Sequence, residues 1–210
     1  MQEKPIGVAG VILAGGKSTR MGGGDKALKQ LGNKALLCTV IERLQPQVSA
    51  LVLNSNNNPK HYSDFGIPII ADIVSGQLGP LAGVLSGMQW AQKQGCKWIA
   101  TVAADTPYFP ENLVAELLKV QEQSKSEIVL ASTQNLSGQL KTHPTFGIWS
   151  VELMENLQNN LQNGVRKIVL WTHQRNCSKA IFTGYEFDPF FNINTPEDLR
   201  QAENLMVSTR

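Results

Sequence analysis

The stretch "VAGVILAGGKSTRMGGGDKAL", Val8–Leu28, governs how the rest of the chain is read. It opens as an unbroken apolar run and becomes a loop holding five glycines, three cations and one carboxylate between Leu13 and Leu28. A Val- and Ile-rich run without polar alternation reads as a strand buried on both faces, as in a parallel sheet. Gly15, Gly16, Gly22, Gly23 and Gly24 permit positive φ and leave backbone N–H groups bare. Converging N–H groups form an anion-binding concavity, to which Lys17, Arg20 and Lys26 add charge-assisted bonds. A merely solvated loop has no reason to stand at a strand's carboxyl end, where α/β sheets bind ligands.

Two better-known phosphate loops do not fit these residues. A P-loop requires glycine six positions before its lysine, and for Lys17 that position is Val11. Gly22, Gly24 and Ala27 match G-x-G-x-x-A, but the match begins eight residues after Ala14, too far from the strand end. The expected acid about twenty residues later is absent. What remains is a strand, a long cationic glycine loop and a helix, suited to a triphosphate.

Outward from this unit, short apolar runs alternate with helical periods. "VSALVLN" (48–54), "IPIIAD" (67–72), "KWIATVAAD" (97–105) and "EIVLAST" (127–133) read as buried strands. Helices are expected over about 34–45, 80–94 and 111–123, with Pro80 in a first turn. Gly79, Gly83 and Gly87 fall four apart, on one helix face that could approach a sheet closely. After residue 140 the spacing predicts a strand at "HPTFGIW" (143–149), helices over 150–162 and 164–174, and a strand at "KAIFTG". The polar stretch 134–142 reads as a loop. In "NTPEDLRQAENLM", Thr195 is the expected N-cap, Pro196 the first helical residue and Asp198 the acid of a capping box. The expected fold is a three-layer, doubly wound α/β domain with a mostly parallel sheet, Rossmann-like in architecture.

Composition narrows the function classes. The 210 residues are 42% hydrophobic and 17% charged, ordinary for one soluble domain. The formal charge is +2, a surplus that the opening loop alone could supply, which favours a small anion over a polymer. Three scattered cysteines argue against a disulfide framework or a thiolate zinc site. Without a signal-like start or a long apolar span, a cytoplasmic protein with no nucleic-acid or membrane partner is expected.

Asp105 ends a buried run and precedes Thr106-Pro107, which stops the strand. A carboxylate there is hard to explain as core. It suits a Mg²⁺ that keeps most of its waters, the alternative being a cap on the following turn. Asn54 and Asp72 likewise close apolar runs. Guanine's Watson–Crick edge offers two adjacent donors, which an acceptor-only carboxylate such as Asp72 could select. Asn192 and Asn194 alternate in "FNINTPEDL" and so share one face of an extended segment.

"LAGGKSTRMGGGDK" resembles the signature loop of the nucleotidyltransferases. Taken with "GPLAG", "DTPY", "HPT" and "FNINTPEDL" in this order, the chain resembles the molybdenum cofactor guanylyltransferases from residue 8 to about 202. The resemblance implies one nucleotidyltransferase domain, with a nucleotide-binding half to about residue 107 and an acceptor-binding half over about 108–205. It implies transfer of GMP from GTP to molybdopterin, with Mg²⁺ as cofactor. By this resemblance Leu13, Ala14, Gly15, Gly16, Asn54, Asp72, Gly79 and Asp105 line the nucleotide, and Lys26 binds phosphate. Arg20 holds the departing pyrophosphate, Lys17 being a weaker candidate, and Asp105 binds the metal. Asp25 carries an open alternative, an ion pair with a neighbouring cation.

His143, Arg166, Lys167, Asn192 and Asn194 match acceptor-side positions. His143 could equally be a hydrogen-bonded structural residue, and Arg166-Lys167 a solvated pair at a helix start. Where Asn194 stands, many relatives in the wider superfamily have a second metal-binding Asp, so a single protein carboxylate is expected on the metal here. Further partners implied are other cofactor-biosynthesis proteins and apo-molybdoenzymes or their chaperones, with a monomer expected. Cytidylyl transfer to a pterin, sugar or polyol phosphate stays open, as does a non-catalytic cofactor carrier. A GTP switch is disfavoured, because the P-loop spacing fails and "NKAL" at 33–36 lacks the acid of a guanine-reading N-K-x-D.

Overall fold

The computed structural model describes residues 7–15, 25–76, 78–135 and 138–208. The opening apolar run forms β1 (Val8–Leu13), every residue of which is buried. A 3-10 turn at Lys26–Leu28 leads to a two-stranded hairpin, β2 (Gln30–Leu31) and β3 (Lys34–Ala35). Then follow α1 (Leu36–Leu44), β4 (Ala50–Asn54), β5 (Ile69–Ile70), α2 (Pro80–Lys93) and β6 (Trp98–Ala103). The second part holds α3 (Leu113–Ser124), β7 (Ile128–Gln134) and β8 (Leu140–Ser150). It closes with α4 (Met154–Gln162), α5 (Ile168–Thr172), β9 (Cys177–Phe182) and α6 (Pro196–Ser208).

Seven strands form one sheet in the order β5-β4-β1-β6-β8-β7-β9. β1, β4, β5 and β6 run parallel, β8 is antiparallel to both its neighbours, and β9 is parallel to β7. All strands except β8 therefore end on the same edge, and β8 begins there. The α/β expectation holds, and the single reversed strand explains the irregular pattern after residue 140.

Alternate residues of β1 feed different cores. Val8 and Ile12 join α1 and α3 side chains such as Leu37, Val40, Leu113 and Leu117 on one face. Ala9, Val11 and Leu13 join Leu81, Leu85 and Met88 of α2 and Leu157 of α4 on the other. This double burial is why the strand reads as continuously apolar.

Several sequence expectations are corrected. The polar stretch 134–142 is a hairpin, with β7 reaching Gln134 and β8 starting at Leu140. The register slips between Leu130 and Ala131, where Leu130 faces Gly147 and Ala131 faces His143. Pro144 lies in the bulged-out piece of β8, where its missing N–H removes a ladder donor. The expected helix 164–174 shrinks to α5, because α4 ends before Gly164, which holds φ +86. The expected helix 34–45 starts only at Leu36, since Lys34 and Ala35 pair with the preceding strand.

Of the three spaced glycines, two approach the sheet. A Cβ on Gly83 would clash with Asn54 Oδ1, and one on Gly87 would lie 2.7 Å from Val11 Cγ2. Gly79 is not on that face but precedes the helix with φ +70. Gly87→Val should therefore lower stability by about 2–3 kcal/mol through overpacking against Val11. Urea unfolding of the variant checks this, and wild-type stability would show that the helix–sheet spacing is looser than described.

Candidate active site

Just past the end of β6, the carboxylate of Asp105 meets a cation. Lys26 Nζ donates to Asp105 Oδ2 at 2.7 Å, and the same ammonium donates to Asn194 Oδ1. Thr106 Oγ1 lies 3.1 Å from Asp105 Oδ1 and 2.5 Å from Asn192 Oδ1. One hydroxyl hydrogen serves one of these oxygens at a time. Residues 79 and 168 positions away from Lys26 thus converge on it, with the Lys26 and Asp105 side chains 18% and 26% exposed.

Each member is held by its own local structure. Lys26 opens a 3-10 turn that Asp25 caps, its Oδ1 accepting from Ala27 N–H at 3.0 Å. The other oxygen of Asp25 accepts from Asn57 Nδ2 at 2.9 Å and from the Tyr62 hydroxyl. Tyr62 is fully buried, and burial together with the Asp25 carboxylate pushes its phenol pKa up, so it remains a donor. Among the described residues these partners hold Asp25, and through them the residue braces the backbone that carries Lys26.

Asn192 and Asn194 reach the group because the chain between them is anchored. Ile193 is fully buried against Leu31, Leu36 and Ala202, and its N–H donates to the Asp105 carbonyl at 2.9 Å. Alternation along an extended segment then turns both exposed asparagines to the opposite side. Beyond them the expected capping box is present. Asp198 Oδ2 accepts from the N–H groups of Asn194 and Thr195, each at 2.8 Å, and Thr195 Oγ1 accepts from Asp198 N–H at 3.1 Å.

A second group lies at the ends of β4 and β5. Asn54, 4% exposed, donates through Nδ2 to Asp72 Oδ1 at 3.0 Å. Asn56 Nδ2 donates to Asp72 Oδ2 at 2.8 Å, and Asp72 N–H donates to Asn56 Oδ1 at 2.8 Å. Asp72 is thus oriented, one hydrogen bond on each oxygen, two residues beyond the short β5. Leu13 closes β1 on the same edge, Ala14 N–H donates to the Asn54 carbonyl at 2.9 Å, and a Cβ on Gly15 would meet nothing within 4 Å among the described residues. Gly79 sits at the start of α2, where a Cβ would lie 3.3 Å from the Arg166 carbonyl.

The remaining acceptor-side residues stand apart from Lys26 and Asp105. Arg166 Nη1 donates to the carbonyls of Leu161 and Val165 at 2.6 and 2.9 Å, closing the end of α4, and exposed Lys167 precedes α5. His143 is 7% exposed, with Nε2 2.9 Å from Thr133 Oγ1 and its ring stacked on Phe190 at 4.4 Å. Burial lowers its pKa to about 4, against the opposing pull of Asp188. Burial also pushes the Asp188 carboxyl up, but hydrogen bonds from Lys141 and the Phe190 N–H outweigh this and hold it low. Gly16, Lys17, Arg20 and Gly22, Gly23 and Gly24 lie outside the described residues.

Sequence reasoning missed Tyr62, Asn56, Asn57 and Thr106. Only Thr106 carried a signal, its place next to Asp105. The others come from a loop whose polar residues resemble ordinary turn formers.

The donor set bears on a metal. Among the described residues no cluster of three or more His, Cys, Asp or Glu exists that could hold an ion. Yet a cation already stands between Asp105 Oδ2 and Asn194 Oδ1, namely the Lys26 ammonium. Two oxygens of this kind fit a hard divalent ion that takes its other ligands from water and phosphate.

The family model of the MobA-like NTP transferase domain matches residues 10–176. A protein of Mesorhizobium japonicum named molybdenum cofactor guanylyltransferase is 39% identical over 206 residues, 96% of this chain and 97% of its own. One of the same name from Yersinia pestis is 40% identical over 191 residues, covering 91% and 92%. Among solved structures, molybdopterin-guanine dinucleotide biosynthesis protein A of Archaeoglobus fulgidus superposes with TM-score 0.76 at 23% identity, covering 96% of this chain and 99% of that one. 4-Diphosphocytidyl-2C-methyl-D-erythritol synthase of Anaerococcus prevotii superposes with TM-score 0.68 at 14% identity, covering 95% and 98%. The two structures share the fold.

His143 makes a pH dependence. Unfolded histidine takes up a proton near pH 6.5, whereas His143 in the fold does so near pH 4, so stability falls as pH drops through that window. Between pH 7 and 4.5 the wild type should lose about 2–3 kcal/mol more than His143→Gln in urea unfolding. Parallel losses in the two proteins would overturn the burial argument.

Proposed function

This chain belongs to the MobA-like NTP transferase family, and we propose that it transfers GMP from GTP to molybdopterin, releasing pyrophosphate and forming the guanine dinucleotide cofactor. One observation carries the reading: the early, middle and late parts of the chain deliver Lys26, Asp105 and Asn194 to a single point on the carboxyl edge of the sheet. Doubly wound sheets bind nucleotides on that edge. The curated relatives named for guanylyl transfer match nearly the whole chain.

In the proposed reaction a terminal phosphate oxygen of the acceptor attacks the α-phosphorus of GTP. The new P–O bond forms as the bond to the β-phosphate oxygen breaks, and the electron pair leaves with pyrophosphate. No nucleophilic side chain is needed, so the protein's work is to position two anions and to stabilise charge on the transferring group. Lys26 supplies a mobile point charge for the phosphates. A Mg²⁺ held by Asp105, with Asn194 as a neutral oxygen beside it, supplies Lewis-acid stabilisation when bound. Arg20, Gly15 and Gly16 are assigned to the triphosphate.

Asp72 is assigned to the base. Each of its oxygens already accepts one amide hydrogen, from Asn54 or Asn56, and retains a further acceptor site. Guanine N1–H and the exocyclic N2–H present two donors side by side, a match that adenine and cytosine lack. Leu13, Ala14, Asn54 and Gly79 complete the nucleotide side. On the acceptor side, Asn192 and Asn194 stand close enough to Asp105 to orient the incoming phosphate. Arg166 and Lys167 offer cations farther along, and His143 acts through the packing of Phe190.

The test incubates the protein with molybdopterin, Mg²⁺ and each of the four nucleoside triphosphates, with pyrophosphate release as readout. GTP alone should give substantial turnover, whereas CTP as the best donor would replace guanylyl by cytidylyl transfer. Asp105→Ala should lose turnover by roughly 10²–10³-fold, with GTP binding weakened only about tenfold. Near-normal turnover would remove Asp105 from the reaction. Asp72→Asn should relax the preference for GTP over CTP by about tenfold.

A further inference from the structure

Lys26 and a divalent metal need the same oxygens. Its ammonium lies 2.7 Å from Asp105 Oδ2 and also donates to Asn194 Oδ1. Magnesium–oxygen bonds are about 2.0–2.1 Å long, so an ion bound between these oxygens would stand where Nζ now stands. Two cations cannot share that point. The remaining oxygen of Asp105 lies 3.1 Å from the Thr106 hydroxyl.

We infer that Lys26 is a resident counter-cation of the Asp105–Asn194 oxygen pair and blocks metal binding until nucleotide phosphates draw its ammonium away. The inference rests on the nucleotidyl-transfer reading for its trigger, but the blockade itself is a property of the protein alone.

Three features support it. An uncompensated, partly buried carboxylate is costly, so Asp105 is stabilised by a cation whether or not a metal is present. Lys26 is well placed to alternate, because its backbone is fixed by the Asp25 cap while its side chain is four flexible carbons long. Finally, Asn194 is neutral. With Asp in its place, two carboxylates could hold an ammonium and a metal together; with one charge and one amide, the two cations exclude each other.

The consequence is an order of events. Free metal binds the nucleotide-free protein weakly, and the metal settles on Asp105 together with the triphosphate or after it. Metal is thereby kept out of the site when there is nothing to transfer.

The experiment titrates nucleotide-free protein with Mn²⁺ as the probe and reads free Mn²⁺ by electron paramagnetic resonance. Lys26→Met, which keeps the aliphatic stem and removes the ammonium, should bind Mn²⁺ at least tenfold more tightly than the wild type. Lys29→Met removes the same charge three residues away and should change affinity less than twofold. Lys26→Met/Asp105→Asn should lose the added affinity. Equal Mn²⁺ affinity in Lys26→Met and wild type overturns the inference, as does an equal gain in Lys29→Met. If thermal melting shows that Lys26→Met is unfolded, Lys26→Gln takes its place with the same expectation. The titration uses neither GTP nor acceptor, so its failure leaves guanylyl transfer standing, and failure of the transfer assay leaves the blockade standing.

Discussion

The ion pair between Lys26 and Asp105 is the constraint around which the rest of the fold is arranged. A carboxylate that is only 26% exposed at the tip of a central strand needs compensation, and the compensation comes from a residue far away in sequence. Bringing that residue there depends on the turn that Asp25 caps. It also requires Asn194 to lie alongside, which the buried Ile193 and the Asp198 cap secure. Three separate pieces of local structure are thus spent on fixing one charged point.

The surroundings divide the labour. On one side, the ends of β1, β4 and β5 present Leu13, Asn54 and Asp72, with α2 packed closely because Gly83 and Gly87 have no side chains. On the other, the reversed β8 and the segment 190–194 present polar residues over an aromatic base of Phe146, Phe182 and Phe190. The two sides meet at Asp105. Both faces of the sheet are sealed by apolar cores, so its edge is left for polar chemistry.

Much of this was legible in the sequence because the responsible forces are local. Continuous apolar runs gave the parallel strands, the glycine spacing gave the helix face against the sheet, and Thr195 with Asp198 gave the cap. The end of β6 identified Asp105 through the oddity of a carboxylate there. What could not be read depends on long-range contact. Nothing near Asp25 shows that Tyr62 and Asn57 will hold it, and nothing in "HPTFGIW" shows that the strand runs antiparallel. Gly79 fits a helix-face pattern by spacing, yet its positive φ places it before the helix. The separation of Lys26 from Asn194, by 168 positions, hid their meeting altogether.

The most direct measurement of the central claim is a crystal structure of the protein with GTP and Mg²⁺ bound. The triphosphate should lie along the Leu13–Gly15 edge, with the Lys26 ammonium on a phosphate oxygen, the metal on Asp105 and the base against Asp72. A triphosphate bound elsewhere, or Lys26 still paired with Asp105 while the nucleotide is in place, would contradict it.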